Sequence, residues 1–166
     1  MTDHVDDDPP RSLQQQVCFT LAVASREVVS LYRPLLEPLG LTHPQYLVMV
    51  TLWGTDAPLS VKRLSRLLNL EAPTLSPLLK RLEKAGLVER QRDPADERSL
   101  LVSLTERGRA LEEPATAVPA TIVAQLGMTV PELTSLHDVL SRLIRSAKAQ
   151  DGLAGRDALP APDVET

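Results

Sequence analysis

One cysteine, one tryptophan, one phenylalanine and two tyrosines are spread over 166 residues. A single thiol excludes an internal disulfide and a cysteine-based zinc site. His4, His43 and His137 are too scattered to suggest metal ligands. No Gly-rich phosphate loop, nucleophile elbow or readable pair of catalytic carboxylates occurs, so neither a cofactor nor enzymatic turnover is expected. There is also no run of about 18 apolar residues and no basic-then-apolar leader, which leaves a cytoplasmic protein without membrane contact as the expectation. Aromatics make up 2% of the chain against 43% apolar residues, so the core must be Leu/Val/Ala-rich and helical.

Residues 1–10, with Asp6-Asp7-Asp8-Pro9-Pro10, read as a disordered acidic N-terminus, and 150–166 as a disordered tail. A single domain is expected from 11 to 149. Its centre is the stretch from Leu59 to Thr105, ordered as helix, turn, helix and charged hairpin, which suits reading duplex DNA. Leu75, Leu78, Leu79 and Leu82 fall at i, i+3, i+4 and i+7 and predict a helix from Pro73 to about Gly86 with one buried face. The opposite face carries Thr74 and Ser76 in the first turn, where base edges would lie, and Lys80, Arg81 and Lys84 further along, where phosphates would lie. Pro77 is expected to kink or loosen that first turn. Before it, Ser60 is an N-cap candidate for a helix to about Leu68 that buries Val61, Leu64, Leu67 and Leu68.

Leu87–Arg92 and Ser99–Leu104 read as two strands around 93–97, with Leu100, Val102 and Leu104 alternating toward the core. Arg98, just past the hairpin tip, is placed to enter a minor groove with Asp96 orienting its guanidinium, and Arg90 adds a cation on the first strand. Seen in isolation, a helix pair with a hairpin is also a plain packing unit with a solvated charged face. The charge distribution favours the DNA reading: residues 57–110 hold eleven Lys/Arg against seven acids, while each flank is net −4. A sequence pI near 5.4 does not oppose this, because phosphates feel the surface within about 8–10 Å.

From about Leu13 to Leu36, Val17, Leu21, Ala24, Val28, Leu31 and Leu35 form a seam at steps of four and three. A second seam, Leu133, Leu136, Leu140, Leu143 and Ala147, follows a capping box at Thr129–Glu132. Two seams flanking a reader point to dimerisation through 11–40 and 106–149, although they could pack on each other within one chain. Thr105 to Leu126 is expected to be helical but bent at Pro114 and Pro119. Thr42-His43-Pro44-Gln45 is another capping box, opening a helix to Gly54 that bridges dimer arms and reader.

DPADERSLLVSLTERG (93–108) resembles the wing signature of the MarR family of dimeric winged-helix regulators. QQVCFTLAVASREVVSLYRPLLEPLGLTHPQYLVMVTLW (15–53) and TLSPLLKRLEKAGL (74–87) are most similar to its OhrR branch of organic-hydroperoxide-sensing repressors. The resemblance covers roughly Leu13 to Ala147 and implies a mainly α fold with a small β wing. It also implies that Cys18 is the sensor, held as thiolate by tyrosine hydroxyls of which Tyr32 matches one. A lone helical cysteine is by base rate more often a small buried hydrophobe. Cys18 and Tyr32 are fourteen residues apart, ~21 Å in one helix at ~1.5 Å per residue, so they meet only if Tyr32 comes from a second subunit.

This chain departs from the branch at Ala22 and His43, which stand where tyrosines occur, and at Ala72 and Pro73 before the reading helix. His43 either stands in for a missing donor to the thiolate, with the helix macrodipole keeping it neutral, or is a surface or capping histidine with no sensing role. The function implied is a repressor that leaves its operator when an organic hydroperoxide oxidises Cys18, with a low-molecular-weight thiol capturing the oxidised sulfur. Two other classes remain: a repressor induced by a reversible ligand such as a phenolic compound, and a thiol peroxidase.

Overall fold

The computed structural model describes residues 10–150. Among these residues the chain runs α1 (Pro10–Leu36), a 3-10 turn (Glu37–Leu39), α2 (His43–Trp53), β1 (Leu59–Ser60), α3 (Val61–Leu68) and α4 (Ala72–Lys84). It continues through β2 (Val88–Asp93), β3 (Asp96–Leu104), α5 (Glu106–Ala110), α6 (Glu112–Ala115), α7 (Ala117–Leu126) and α8 (Val130–Gln150). The acidic N-terminus and the tail expected from composition lie outside the described residues, except that Pro10 and Gln150 are already helical.

The hydrophobic core joins α2 to the reader. Val48, Met49 and Leu52 of α2 are fully buried with Leu64 of α3, Leu75, Leu79 and Leu82 of α4, and Val88 and Val102 of the sheet. Helix α2 touches α1, α3, α4 and β3, so the expected bridge is present. Its capping box is formed, with the Thr42 N–H donating to the Gln45 side chain at 2.9 Å.

Helix α4 starts one residue earlier than the leucine spacing suggested, with Glu71 as N-cap and Pro73 in the second position. Pro77 does not interrupt it. A proline inside a helix costs about 3 kcal/mol, whereas burying three leucines contributes about 1.5–3 kcal/mol each, so packing wins. The helix ends in a Schellman motif: Leu87 N–H reaches the Leu82 carbonyl (3.0 Å), Gly86 N–H reaches that of Glu83 (2.9 Å), and Gly86 takes φ +70°.

The strands pair antiparallel in the order β1-β3-β2. Strand β1, which no alternation announced, adds Leu59 opposite Val102 and Ser60 opposite Leu101. The hairpin tip is tighter than expected, only Pro94 and Ala95, because the Asp93 carboxylate accepts the Ala95 N–H at 2.9 Å. Val102 and Leu104 face the core as predicted, but Leu100 is 39% exposed. It pairs with Arg92 on the part of the hairpin that projects beyond the domain body.

The stretch after the wing is broken rather than bent, into α5, α6 and α7. Pro114 and Pro119 lack the N–H groups that would bond to the carbonyls of Ala110 and Ala115, and the breaks fall at Leu111 and Thr116, one residue after each. Helix α7 returns to pack on α1. The Thr129–Glu132 capping box of α8 is formed (2.7 Å to the Thr129 N–H). Of the two seams, Val17, Leu136 and Leu143 are exposed, whereas Leu31 and Leu35 pack against the core.

Candidate functional site

Ser60 caps α3 by accepting the Arg63 N–H at 3.1 Å. Asn69, left-handed at φ 54°, ends the helix and turns the chain into α4. This turn buries the leucine face of α4 and leaves Thr74, Ser76, Lys80, Arg81 and Lys84 exposed together on the opposite face. Lys62, Arg63 and Arg66 of α3 are exposed as well. Such a face, hydroxyls at one end and cations along the rest, has the chemistry that duplex DNA requires.

Arg90 has a second task. Its guanidinium donates through Nε (3.0 Å) and Nη2 to the same carboxylate oxygen of Glu83, tying β2 to the last turns of α4. Hydrogen bonding from Arg90 holds the Glu83 carboxyl below its ordinary value. Asp96 begins β3 and is exposed. Arg98 lies on β3, but its side chain falls outside the described residues, and with it the expected Asp96–Arg98 contact.

A junction that sequence reasoning missed sits behind the reader. Thr105 is the N-cap of α5: its hydroxyl accepts the Gly108 N–H at 3.0 Å and donates to the Gly86 carbonyl at 2.6 Å, while its N–H donates to Leu87 at 3.1 Å. Gly108 is required here, because a Cβ would collide with the Leu87 carbonyl oxygen. The Gly108 carbonyl in turn accepts the indole N–H of Trp53, the last residue of α2, at 2.9 Å. Thr105 and Gly108, spaced as N-cap and third helical residue, were the signal available in the sequence.

Cys18 is exposed on α1. Tyr32 is on the same unbroken helix, so the separation argued from spacing holds within one chain. The structure brings Tyr32 and His43 together, with ring centroids 4.6 Å apart and planes inclined at 59°. Tyr46, a buried member that the sequence did not single out, lies 5.9 Å from Tyr32 and 6.3 Å from Trp53. Burial pushes the hydroxyls of Tyr32 and Tyr46 above 10.0, the nearby Tyr32 adding to the latter, so both keep their protons at neutral pH. Burial also holds His43 below 6.5. The imidazole is therefore neutral at pH 7 and has one N–H to donate. Next to this cluster, α1 and the start of α2 line an open groove of about 740 Å³ that includes Arg26, Val29, Arg33, Leu36 and His43.

Among the described residues no group of three His, Cys, Asp or Glu could hold a metal ion, and no helix is long and apolar enough to cross a membrane.

The sequence profile of the MarR family matches residues 41–100. Over 134 residues, 81% of this chain and 90% of the relative, the chain is 42% identical to the organic hydroperoxide resistance transcriptional regulator of Bacillus subtilis (strain 168). The fold is similar to that of AbfR of Staphylococcus epidermidis bound to DNA in its reduced form, with TM-score 0.70 and 33% identity over 82% of this chain and 95% of that one. The overoxidized form of AbfR, also bound to DNA, is similar at TM-score 0.69 and 33% identity over 82% and 96% of the two chains.

Proposed function

The chain belongs to the MarR family of regulators, and from that premise we propose that it is a homodimeric winged-helix repressor which loses its operator when Cys18 is oxidised by an organic hydroperoxide. Two copies of α4 enter successive major grooves of a pseudo-palindromic site, one helical turn apart, and two wings reach the flanking minor grooves. Thr74 and Ser76 read base edges; Lys80, Arg81 and Lys84 neutralise phosphates; Arg98, oriented by Asp96, enters the minor groove. Arg90, ion-paired with Glu83, serves the reader by holding the wing against α4. The protein works in the cytoplasm, and each thiol reacts once rather than turning over as an enzyme.

The observation that carries the redox reading is the pairing of Tyr32 with His43, two neutral donors at 4.6 Å, at a place on α1 that Cys18 of the same chain cannot reach. In the dimer, α1 of one protomer lays its exposed Cys18 beside Tyr32 and His43 of the other, and the sensing site exists only there. Both donors stabilise the thiolate. The thiolate attacks the outer peroxide oxygen, the O–O bond breaks, the sulfur gives up two electrons, and the leaving alkoxide takes a proton to become an alcohol. The sulfenic acid then condenses with a small thiol to a mixed disulfide and water. That AbfR was captured on DNA in an overoxidized state supports the bulkier mixed disulfide, rather than added oxygen alone, as the form that forces the dimer helices apart. A hundredfold release needs a coupling of only about 2.7 kcal/mol.

The groove lined by Arg26, Arg33, Glu37 and His43 favours a second reading, a reversible small ligand such as a phenolic compound, with Cys18 merely structural. One variant separates them. Cys18→Ser should bind the operator as the parent does and ignore hydroperoxide; full induction of that variant by hydroperoxide would remove Cys18 from the mechanism.

A further inference from the structure

The redox reading leaves unexplained how a change at Tyr32 on α1 and His43 at the start of α2 reaches the reading helix α4. A continuous set of contacts does cross that distance. Tyr32 stacks near His43 and Tyr46, at 4.6 and 5.9 Å. Tyr46 lies two turns before Trp53 on α2, and their rings meet edge to face at 6.3 Å. The Trp53 indole N–H donates to the Gly108 carbonyl at 2.9 Å. Gly108 is bound to the Thr105 hydroxyl, and that hydroxyl is bound to the Gly86 carbonyl, in the Schellman turn that ends α4.

Two features make this a device rather than ordinary packing. Gly108 has no room for a side chain against the Leu87 carbonyl, so α5 and the end of α4 are in direct backbone contact and cannot move independently. And among the described residues the indole gives α2 a directed bond to that block, beside the apolar packing of α2 on α4.

We propose that Trp53 is the positioning residue that couples the thiol site to the DNA reader, its indole N–H locking α2 to the α4–α5 junction so that a shift of Tyr32 or His43 turns α4. This rests on the redox reading of Cys18. In the reduced dimer the bond is made and the two reading helices hold their spacing. In the mixed-disulfide form, displacement of the aromatic column carries Trp53 and the junction with it, and the spacing is lost. Without the N–H, only the apolar packing of α2 on α4 remains to pass the shift on, and less of it reaches the reader.

The test is the ratio of operator dissociation constants, mixed disulfide over reduced, with cumene hydroperoxide and free cysteine as the probes. The parent should give about a hundredfold, inside the usual span of allosteric coupling. Trp53→Phe should keep the reduced affinity within about threefold, oxidise Cys18 at the parental rate, and give a ratio below about five, within the same scale. Because Trp53 is the only tryptophan in the chain, global replacement by benzothienylalanine swaps the N–H for sulfur in an otherwise similar ring. That protein keeps the question open to measurement if the phenylalanine variant folds poorly, and it should show the same collapse. Trp53 emission should also shift on oxidation of the parent and stay still in Cys18→Ser. A parental ratio in either replacement, including one where both affinities fall together, would assign Trp53 a structural role only and overturn the inference, as would unchanged emission in oxidised protein that has left its operator. If the oxidised parent keeps its operator, it is the redox reading that fails, and the coupling falls with it.

Discussion

Replacing Thr105 by valine isolates the junction behind the reader from everything else in the fold. Valine has the same shape, and its β-branched side chain suits the extended N-cap backbone (φ −74°, ψ 171°), so only the hydroxyl is lost. Two bonds go with it: the one accepted from Gly108 N–H (3.0 Å) and the one donated to the Gly86 carbonyl (2.6 Å). Losing an N-cap costs about 0.5–2 kcal/mol and losing a neutral hydrogen bond about 0.5–1.5 kcal/mol. Gly86 is exposed, so water can take over its carbonyl, which places the sum at about 1–3 kcal/mol per subunit rather than higher. Urea unfolding monitored by circular dichroism reads this directly, and amide exchange at Gly108 should quicken. Thr105→Ser, which restores the hydroxyl, should recover most of the loss. A valine variant within about 0.3 kcal/mol of the parent, where surface substitutions commonly fall, would show that the hydroxyl holds nothing together.

On the DNA face, Lys80→Ala and Arg81→Ala should each weaken operator binding and flatten its salt dependence by about one unit of slope, whereas Ser76→Ala should relax sequence preference; parental binding by all three, with Arg98→Ala also silent, would sink the assignment of that face. Tyr32→Phe and His43→Phe should each slow the reaction of Cys18 with hydroperoxide near neutral pH, and a rate that falls for the first and not the second would leave His43 a structural role. Because burial lowers the folded-state value of His43, its neutral form contributes stability above 6.5 that is lost as pH falls through the lower folded value. His43→Phe should therefore unfold less steeply than the parent between neutral and mildly acidic pH, and identical pH profiles would contradict the burial of that imidazole.

What the sequence made legible is what short-range chemistry decides. The capping boxes at Thr42–Gln45 and Thr129–Glu132 span three residues each, and both are formed. The leucine stripe of α4 works for the same reason: Leu75, Leu79 and Leu82 share a face whatever they pack against. Strand β1 was not legible, since two residues carry no alternation and Leu59 becomes a strand only by pairing with Val102 far along the chain. Nor was the Trp53–Gly108 bond, which closes 55 residues of separation. Leu100 followed the alternation and still faces solvent, because period-two patterning gives the side of a ribbon but not how far the ribbon projects beyond the core. At the thiol, helix rise alone keeps Cys18 and Tyr32 of one chain apart, while the Tyr46 ring needed the packing of α2 on α1.

The central claim, that chemistry at Cys18 and loss of the operator are one event, is tested by taking intact mass and operator occupancy from the same sample after one equivalent of an organic hydroperoxide with a small thiol present. The account predicts that the fraction of chains carrying the thiol adduct and the fraction released from DNA rise together along one curve. Release from chains whose Cys18 is unmodified, or full occupancy by chains that all carry the adduct, would contradict it.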